Sequence, residues 1–580
     1  MEKYVIWVVL LQAILIGYAI KTGYFEENRN IIEEFDEAKE KQPYRTGFHF
    51  QPPKNWMNDP NGPMYYNGVY HFFYQYNPYG ATWGNGNLSW AHSVSYNLVD
   101  WTHIEHALSP SEPYDLRGCW SGSVTILPDN NMPVIFYTSI SVEGEEVQNL
   151  AMPRDTSDPF LREWVKSRHN PLIRPPSDID PRSFRDPTTA WQKMDKTWCV
   201  LIGSQLGSDR AGILYTSRDF ISWSRGDNPL HMSNRTGMWE CPDFYPVSAS
   251  GGDGLDTSAN GEDVLHVLKA SFSGRDDYVI GTYDPMTDEF NVVGVDFMDD
   301  RVQLRYDYGN FYASKSFYDA AKKRRVLWSW VLEGDSEANS IARGWYGLQA
   351  LPRTILLHED HTQLIQWPIE EVEGLRDGKV TLDIKEIESG TMLEIAGITA
   401  SQADVEVSFH VSNLDGVELI DEGLLDPQLI CTQNNASVNG VLGPFGLLVL
   451  ASEDLTEQTA IFFRIFKGRG KHVVLMCSDQ SRSSLKTPVK DAIYGSFLDI
   501  DPNKEISLRT LIDHSIIESF GGKGKACITA RAYPTLAVFE NSHIYVFNNG
   551  AKSIGVSSLS AWSMKNAQFS QEGSSWLGFE

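Results

Sequence analysis

The chain has 580 residues and a mass of 65.4 kDa, with 42% hydrophobic and 22% charged residues, globular values that exclude general disorder and leave material for more than one domain. A net charge of −27 and a pI near 4.9 argue against nucleic acid and anionic membranes as partners, and leave a neutral ligand open. The aromatic fraction of 12%, with 17 Trp and 25 Tyr, favours β structure and carbohydrate-type contact surfaces.

At the N-terminus, an apolar run from Val5 to Ile20 follows Lys3 and is interrupted by Gln12 and Gly17. It falls short of the roughly 20 apolar residues needed to span a bilayer, so a cleaved signal peptide over 1–22 is expected rather than an anchor. A charged leader over 23–42 follows, with no membrane association once the signal is removed. Sequons at Asn87, Asn234 and Asn435 fit a glycosylated protein of the secretory pathway. No two of the six cysteines have CxxC spacing, which disfavours a zinc ribbon or a thioredoxin-like site. Cys431 and Cys477, both in the C-terminal region, are the expected disulfide.

The stretch Trp56-Met57-Asn58-Asp59-Pro60-Asn61-Gly62 places a carboxylate before a proline, which biases it to extended backbone. Asn61-Gly62 is expected to turn the chain into the aromatic strand Val69 to Tyr76. An acid beside an indole and two amides suits a sugar: the ring stacks, the amides bond hydroxyls, and the carboxylate attacks. An isolated heptad of this kind serves equally well as an Asx-turn at a strand start. Recurrence is what sets it apart.

Strand signals dominate from Gly47 to Val331. Ser95 to Trp101 and Ser217 to Trp223 repeat one pattern, Ser-x-Asn/Asp, two apolar residues, one further residue and Trp, at a separation of 122. Counted from Asp59, Ser121, Asp186, Asp243 and Asp307, the strand starts recur at intervals of 62, 65, 57 and 64 residues. Five such units predict a five-bladed β-propeller over 43–366. Equivalent strand starts converge on the channel, so Asp59, Asp186 and Glu240 would share a pocket. A linker over 367–378 with a short helical connector follows, and alternation as in Val405 to Phe409 predicts a β-sandwich over 379–580. The whole chain reads as all-β.

Two carboxylates flanking a glycosidic bond are the minimum for glycoside hydrolysis, and Asp59 and Glu240 fill these roles in such a ring. Asp186, beside Arg185, is a third acid that the guanidinium is expected to keep ionised. Alone, the Arg-Asp-Pro and Trp-Glu-Cys-Pro segments read as turns; three acids at matching positions of repeated units read as a site. The heptad, Arg185-Asp186-Pro187 and Trp239-Glu240-Cys241-Pro242-Asp243 resemble the three signature motifs of glycoside hydrolase family 32, and within it the plant acid β-fructosidases, from about Gln42 to the C-terminus. That resemblance implies a retaining mechanism with no metal and no cofactor. It implies Asp59 as nucleophile, Glu240 as acid/base and Asp186 as a transition-state stabiliser. It also implies a fructose pocket lined by Asn58, Gln75, Trp83, Trp120, Ser121 and Arg185.

Pro242 is similar to the cell-wall type. Sucrose-preferring members carry an Asp followed three residues later by Lys after the His-Val-Leu-Lys strand. Here that strand is His266 to Lys269, three after Asp276 is Val279, and three after Asp277 is Ile280. The missing pair implies a fructan exohydrolase, inulin- or levan-type, with weak sucrose cleavage. The alternatives are a sucrose-cleaving cell-wall invertase and, from another class, an inactive sugar-binding propeller. Fructan or sucrose is the expected partner, a proteinaceous inhibitor a candidate one, and apoplast or vacuole the destination.

Overall fold

The structure, a computed structural model, describes residues 42–297, 303–420, 426–486, 489 and 492–572. The expected signal peptide and nearly all of the leader lie outside the described residues. The chain divides into two compact units, Met1–Arg45 and Thr46–Glu580, and the architecture below is that of the second.

Five mainly antiparallel sheets come first and form the blades of a propeller. The first holds Asn55–Tyr66, Val69–Asn77, Ser89–Ser95 and Trp101–Leu108, and the second Cys119–Leu127, Met132–Ile140, Glu146–Pro153 and Trp164–Lys166. Two short strands, Phe184–Arg185 and Trp191–Gln192, lead into the third, with Trp198–Leu206, Asp209–Ser217 and Trp223–Arg225. The fourth holds Glu240–Ser248, Val264–Phe272, Arg275–Asp284 and Glu289–Val292; the fifth, Tyr312–Asp319, Arg324–Val331, Arg353–Leu357 and Leu364–Pro368. After a 3-10 turn at Glu370–Leu375, a seven-stranded and a six-stranded sheet build the β-sandwich.

Local chemistry explains the punctuation. Asn67-Gly68 makes the two-residue hairpin after the first strand, with both residues at positive φ (48° and 89°), the geometry that Asn-Gly adopts at least cost. Asn61-Gly62, expected to turn, lies inside the strand instead, at a register shift between Asn61 and Met64. Tertiary pairing overrode a dipeptide signal.

The repeated Ser-x-Asn/Asp segments prove to be one turn used twice. Ser95 Oγ accepts from the Leu98 amide at 2.8 Å, Asn97 Oδ1 accepts from the Asp100 amide at 2.8 Å, and Leu98 sits at φ 62°. Ser217, Asp219, Ser222 and Phe220 reproduce this with bonds of 2.9 and 2.7 Å and φ 63°. In each, the Trp indole N–H reaches back to the carbonyl of the positive-φ residue. The motif feeds the strand Trp101–Leu108 of the first sheet and the edge strand Trp223–Arg225 of the third.

A cluster of aromatics holds the first and fifth sheets together: Phe72 stacks on Trp328 at 4.5 Å, with Phe50 edge-on to Phe72 and Trp101 against both Phe72 and Trp328. Each such ring buries about 150–250 Å², worth on the order of 4–6 kcal/mol of gross transfer energy. Truncating Trp328 to Ala is expected to cost about 3–5 kcal/mol.

Propeller and sandwich meet through buried charge. Arg353 Nη2, in the fifth sheet, lies 2.9 Å from Asp307 and 2.5 Å from Glu518 of the sandwich. His49 bridges Asp513 at 2.8 Å and Glu518 at 3.0 Å, with all three side chains fully buried. Arg353 and His49 together hold Glu518 down to a pKa of about 2 despite its burial. Further along the junction, Arg531 of the sandwich pairs with Glu333 at 2.9 Å. The backbones approach closely enough that a Cβ on Gly309 would stand 1.9 Å from the Thr529 carbonyl oxygen. The Cys431–Cys477 disulfide is present, tying the helix Pro427–Gln433 to the strand His472–Arg482, and the other four cysteines are free and buried.

Candidate active site

The first strands of four sheets leave ladder geometry where they carry the sequence motifs. Register shifts fall between Met57 and Pro60, Cys119 and Gly122, Glu240 and Asp243, and Tyr312 and Lys315. Such bulges re-aim side chains. Asp186, Cys241 and Ala313 stand at φ 64°, 44° and 56°. Each costs roughly 1–3 kcal/mol and persists only because its surroundings over-determine it.

Two of the three acids converge on one thiol. Cys241 Sγ lies 3.3 Å from Asp59 Oδ2 and 3.5 Å from Asp186 Oδ2, and the Cys241 amide donates to Asp186 Oδ2 at 2.8 Å. Glu240 is the neighbouring residue. Ser121 Oγ donates to Asp59 Oδ2 at 2.7 Å and Asn58 Nδ2 to Asp59 Oδ1 at 3.0 Å. Asn58 is itself held by the Trp56 indole at 2.8 Å. Burial, followed by the charge of Asp186, pushes the Asp59 carboxyl up to about 6. Burial also raises Asp186. The guanidinium of Arg185 opposes this shift, as expected, without cancelling it.

Arg185 spans two glutamates. It donates to Glu240 Oε1 at 3.0 Å and pairs closely with Glu146. Glu146, whose carboxyl burial lifts to about 7, also accepts from the Phe184 amide at 2.7 Å. Tyr312 donates a short hydrogen bond to Glu240 Oε2. Glu240 is thus gripped on both oxygens while its side chain stays one-third exposed.

Aromatics build the wall. Trp83, 38% exposed, meets Trp56 and Trp120 edge-on at 6.0 and 5.7 Å, and Tyr346 stacks on Trp56 at 3.9 Å. Trp120 donates to the Gly86 carbonyl at 2.8 Å, with the Arg185 guanidinium 5.8 Å from its ring centre. Gln75 is buried, and neither its amide oxygen nor its amide nitrogen has a hydrogen-bond partner among the described residues. An unpaired buried amide costs about 1–3 kcal/mol, which a ligand hydroxyl would relieve. Asn87 and Asn234 are exposed and Asn435 half-buried.

Sequence reasoning missed Tyr312, Glu146 and Tyr346. Tyr346 reaches the site on a two-residue strand, Trp345–Tyr346, that pairs in parallel with Asn55–Trp56. No spacing rule connects these residues to the acids. The hairpin after His266 to Lys269 closes in a two-residue turn, Ser273-Gly274, so Asp276, Asp277 and Val279 all belong to the strand Arg275–Asp284. Asp276 and Asp277 are both buried, and Val279 is 1% exposed in the core between the third and fourth sheets.

Two family models match the chain: the glycosyl hydrolases family 32 N-terminal domain over residues 49–368, and the glycosyl hydrolases family 32 C-terminal model over 371–563. An insoluble β-fructofuranosidase isoenzyme of Arabidopsis thaliana is 54% identical over 540 residues, covering 91% of this chain and 92% of the relative. A fructan 6-exohydrolase of Beta vulgaris is 52% identical over 544 residues, covering 93% and 89%. The crystal structure of fructan 1-exohydrolase IIa from Cichorium intybus superimposes with a TM-score of 0.90 at 54% identity, covering 92% of this chain and 99% of that one.

Proposed function

Because the chain belongs to glycosyl hydrolase family 32 and is a β-fructofuranosidase-type hydrolase, we propose that it releases terminal β-D-fructofuranosyl residues from fructans, with weak cleavage of sucrose. Asp59 attacks the anomeric carbon of the terminal fructosyl unit while Glu240 protonates the departing oxygen. Water, deprotonated by Glu240, then releases fructose from Asp59 with net retention. Asp186 holds ring hydroxyls, and Asn58, Gln75, Trp83, Trp120, Ser121 and Arg185 line the pocket. The orphaned amide of Gln75 and the indoles suit a polyhydroxylated ring with apolar faces.

The fructan preference is carried by the hairpin. Its two-residue turn offers no Asp–Lys pair, and the acids beside it are turned inward: Asp276 bonds the Ala313 and Ser314 amides, and Asp277 lies between Arg275 and Arg305. Among the described residues, the turn lacks the charged pair that would meet a glucosyl unit. One lost charge-assisted hydrogen bond is worth about 1.5–3 kcal/mol, roughly ten- to a hundredfold in kcat/KM. The alternative, a sucrose-cleaving enzyme of cell-wall type, is favoured by the identity to the Arabidopsis relative. Parallel assays on sucrose, inulin and levan decide between them. A higher kcat/KM on sucrose than on every fructan sinks the first reading. The relatives named insoluble or cell wall isozymes support export through the secretory pathway to the wall, with the vacuole as the alternative destination.

A further inference from the structure

The hydrogen bond from Tyr312 to Glu240 joins two strands that are both irregular where they meet, with positive φ at Cys241 and at Ala313. A single buried ion pair spans the two irregularities. Lys269 Nζ lies 3.2 Å from Asp276 Oδ2, and both side chains are fully buried. The ammonium donates to the carbonyl of Cys241 at 3.0 Å, to that of Ser314 at 2.8 Å and to Ser271 Oγ at 2.7 Å. Asp276 accepts from the amides of Ala313 at 3.1 Å and Ser314 at 2.7 Å. A second buried ammonium, Lys315, donates to the Pro242 carbonyl at 3.1 Å.

The bulges strip these backbone groups of ladder partners, and a buried group must be paired somewhere. Here the partners are charges, and they are shared between the residue after Glu240 and the two residues after Tyr312. We infer that Lys269 and Asp276 form a positioning pair for the general acid: they set where the Glu240 carboxyl and the Tyr312 hydroxyl meet, and touch neither substrate nor reacting atoms. This rests on the function proposed above and deepens it. A buried ion pair is a poor source of stability but a good source of a unique geometry.

The test exploits leaving groups. A sugar alkoxide needs the proton that Glu240 supplies, an effect worth roughly 10²–10⁴-fold, whereas a nitrophenolate departs without it. Asp276→Asn keeps the size of the side chain and removes its charge. The expected result is a kcat/KM on sucrose and on inulin oligomers lowered roughly tenfold or more, with kcat/KM on 4-nitrophenyl β-D-fructofuranoside within about twofold of wild type. Ser271→Ala, which removes one acceptor from the ammonium and leaves the pair intact, should bias the losses toward the sugar substrates in the same way, with a smaller ratio. If Asp276→Asn does not fold, Ser271→Ala decides by that ratio. Parallel losses on both substrate types, or no loss on the sugars, overturn the inference. A wild-type enzyme that prefers sucrose to every fructan overturns the proposed specificity instead, and the ratio, taken with sucrose, still decides the role of the pair.

Discussion

Asp59 serves two opposed demands. As a nucleophile it must be ionised, yet burial and the neighbouring Asp186 lift its carboxyl to about 6. Activity should therefore rise as pH increases through about 6 and fall below it, and the limb belongs to the coupled Asp59–Asp186 pair rather than to either residue. A pH–kcat/KM profile with its acid limb at or below pH 4 would contradict this. Stability runs the other way. A carboxyl with a raised folded pKa disfavours the fold once pH exceeds that value, and the penalty vanishes below the unfolded value near 4. Asp59→Asn should consequently melt higher than wild type at pH 7 and show no advantage at pH 4, as differential scanning calorimetry at the two values would reveal. Asp59→Ala and Glu240→Ala are each expected to lose at least roughly 10²-fold in kcat while remaining folded. A loss below about tenfold in either reassigns the roles.

At the scale of strands and turns, the hairpin shows how far spacing arithmetic reaches. Counting three residues on from Asp276 lands on Val279, which suggests Val279→Lys as a way to restore an Asp–Lys pair. In the fold, that side chain faces the core beside Trp239 and Leu268. Burying an unpaired ammonium there is expected to cost about 3–5 kcal/mol and to add nothing to sucrose cleavage. Thermal melting together with a sucrose assay checks both halves. The acids and blades were legible because the motifs recur at near-equal spacing, from Asp59 through Ser121 and Asp186 to Asp243, and Ser95 and Ser217 open the same turn. Tyr312, Glu146, Lys269 and Asp276 were not legible. Each is a polar residue within a strand whose partner is chosen by how neighbouring strands and sheets meet, which no local pattern encodes. Asn61-Gly62 misled for the converse reason, since the dipeptide signals a turn and the ladder required a bulge.

Across the whole molecule, the decisive feature is the charged junction between propeller and sandwich. Arg353, His49, Asp307, Asp513 and Glu518 are buried together, so removing one strands the others. Arg353→Met is expected to cost about 3–5 kcal/mol and to lower one shared unfolding transition rather than split it into two, which calorimetry reads directly. Glu518, held at about 2, adds stability that is complete above its unfolded value near 4.5 and fades only as pH falls toward 2. The same junction bears on how such enzymes can be recombined. A chimaera that joins this propeller to the sandwich of a distant relative inherits Arg353, Asp307 and His49 from one parent, and must find counterparts of Glu518, Asp513 and Thr529 in the other. Those six positions behave as a single inherited block, and the crossover point along the chain matters less than whether the block travels whole.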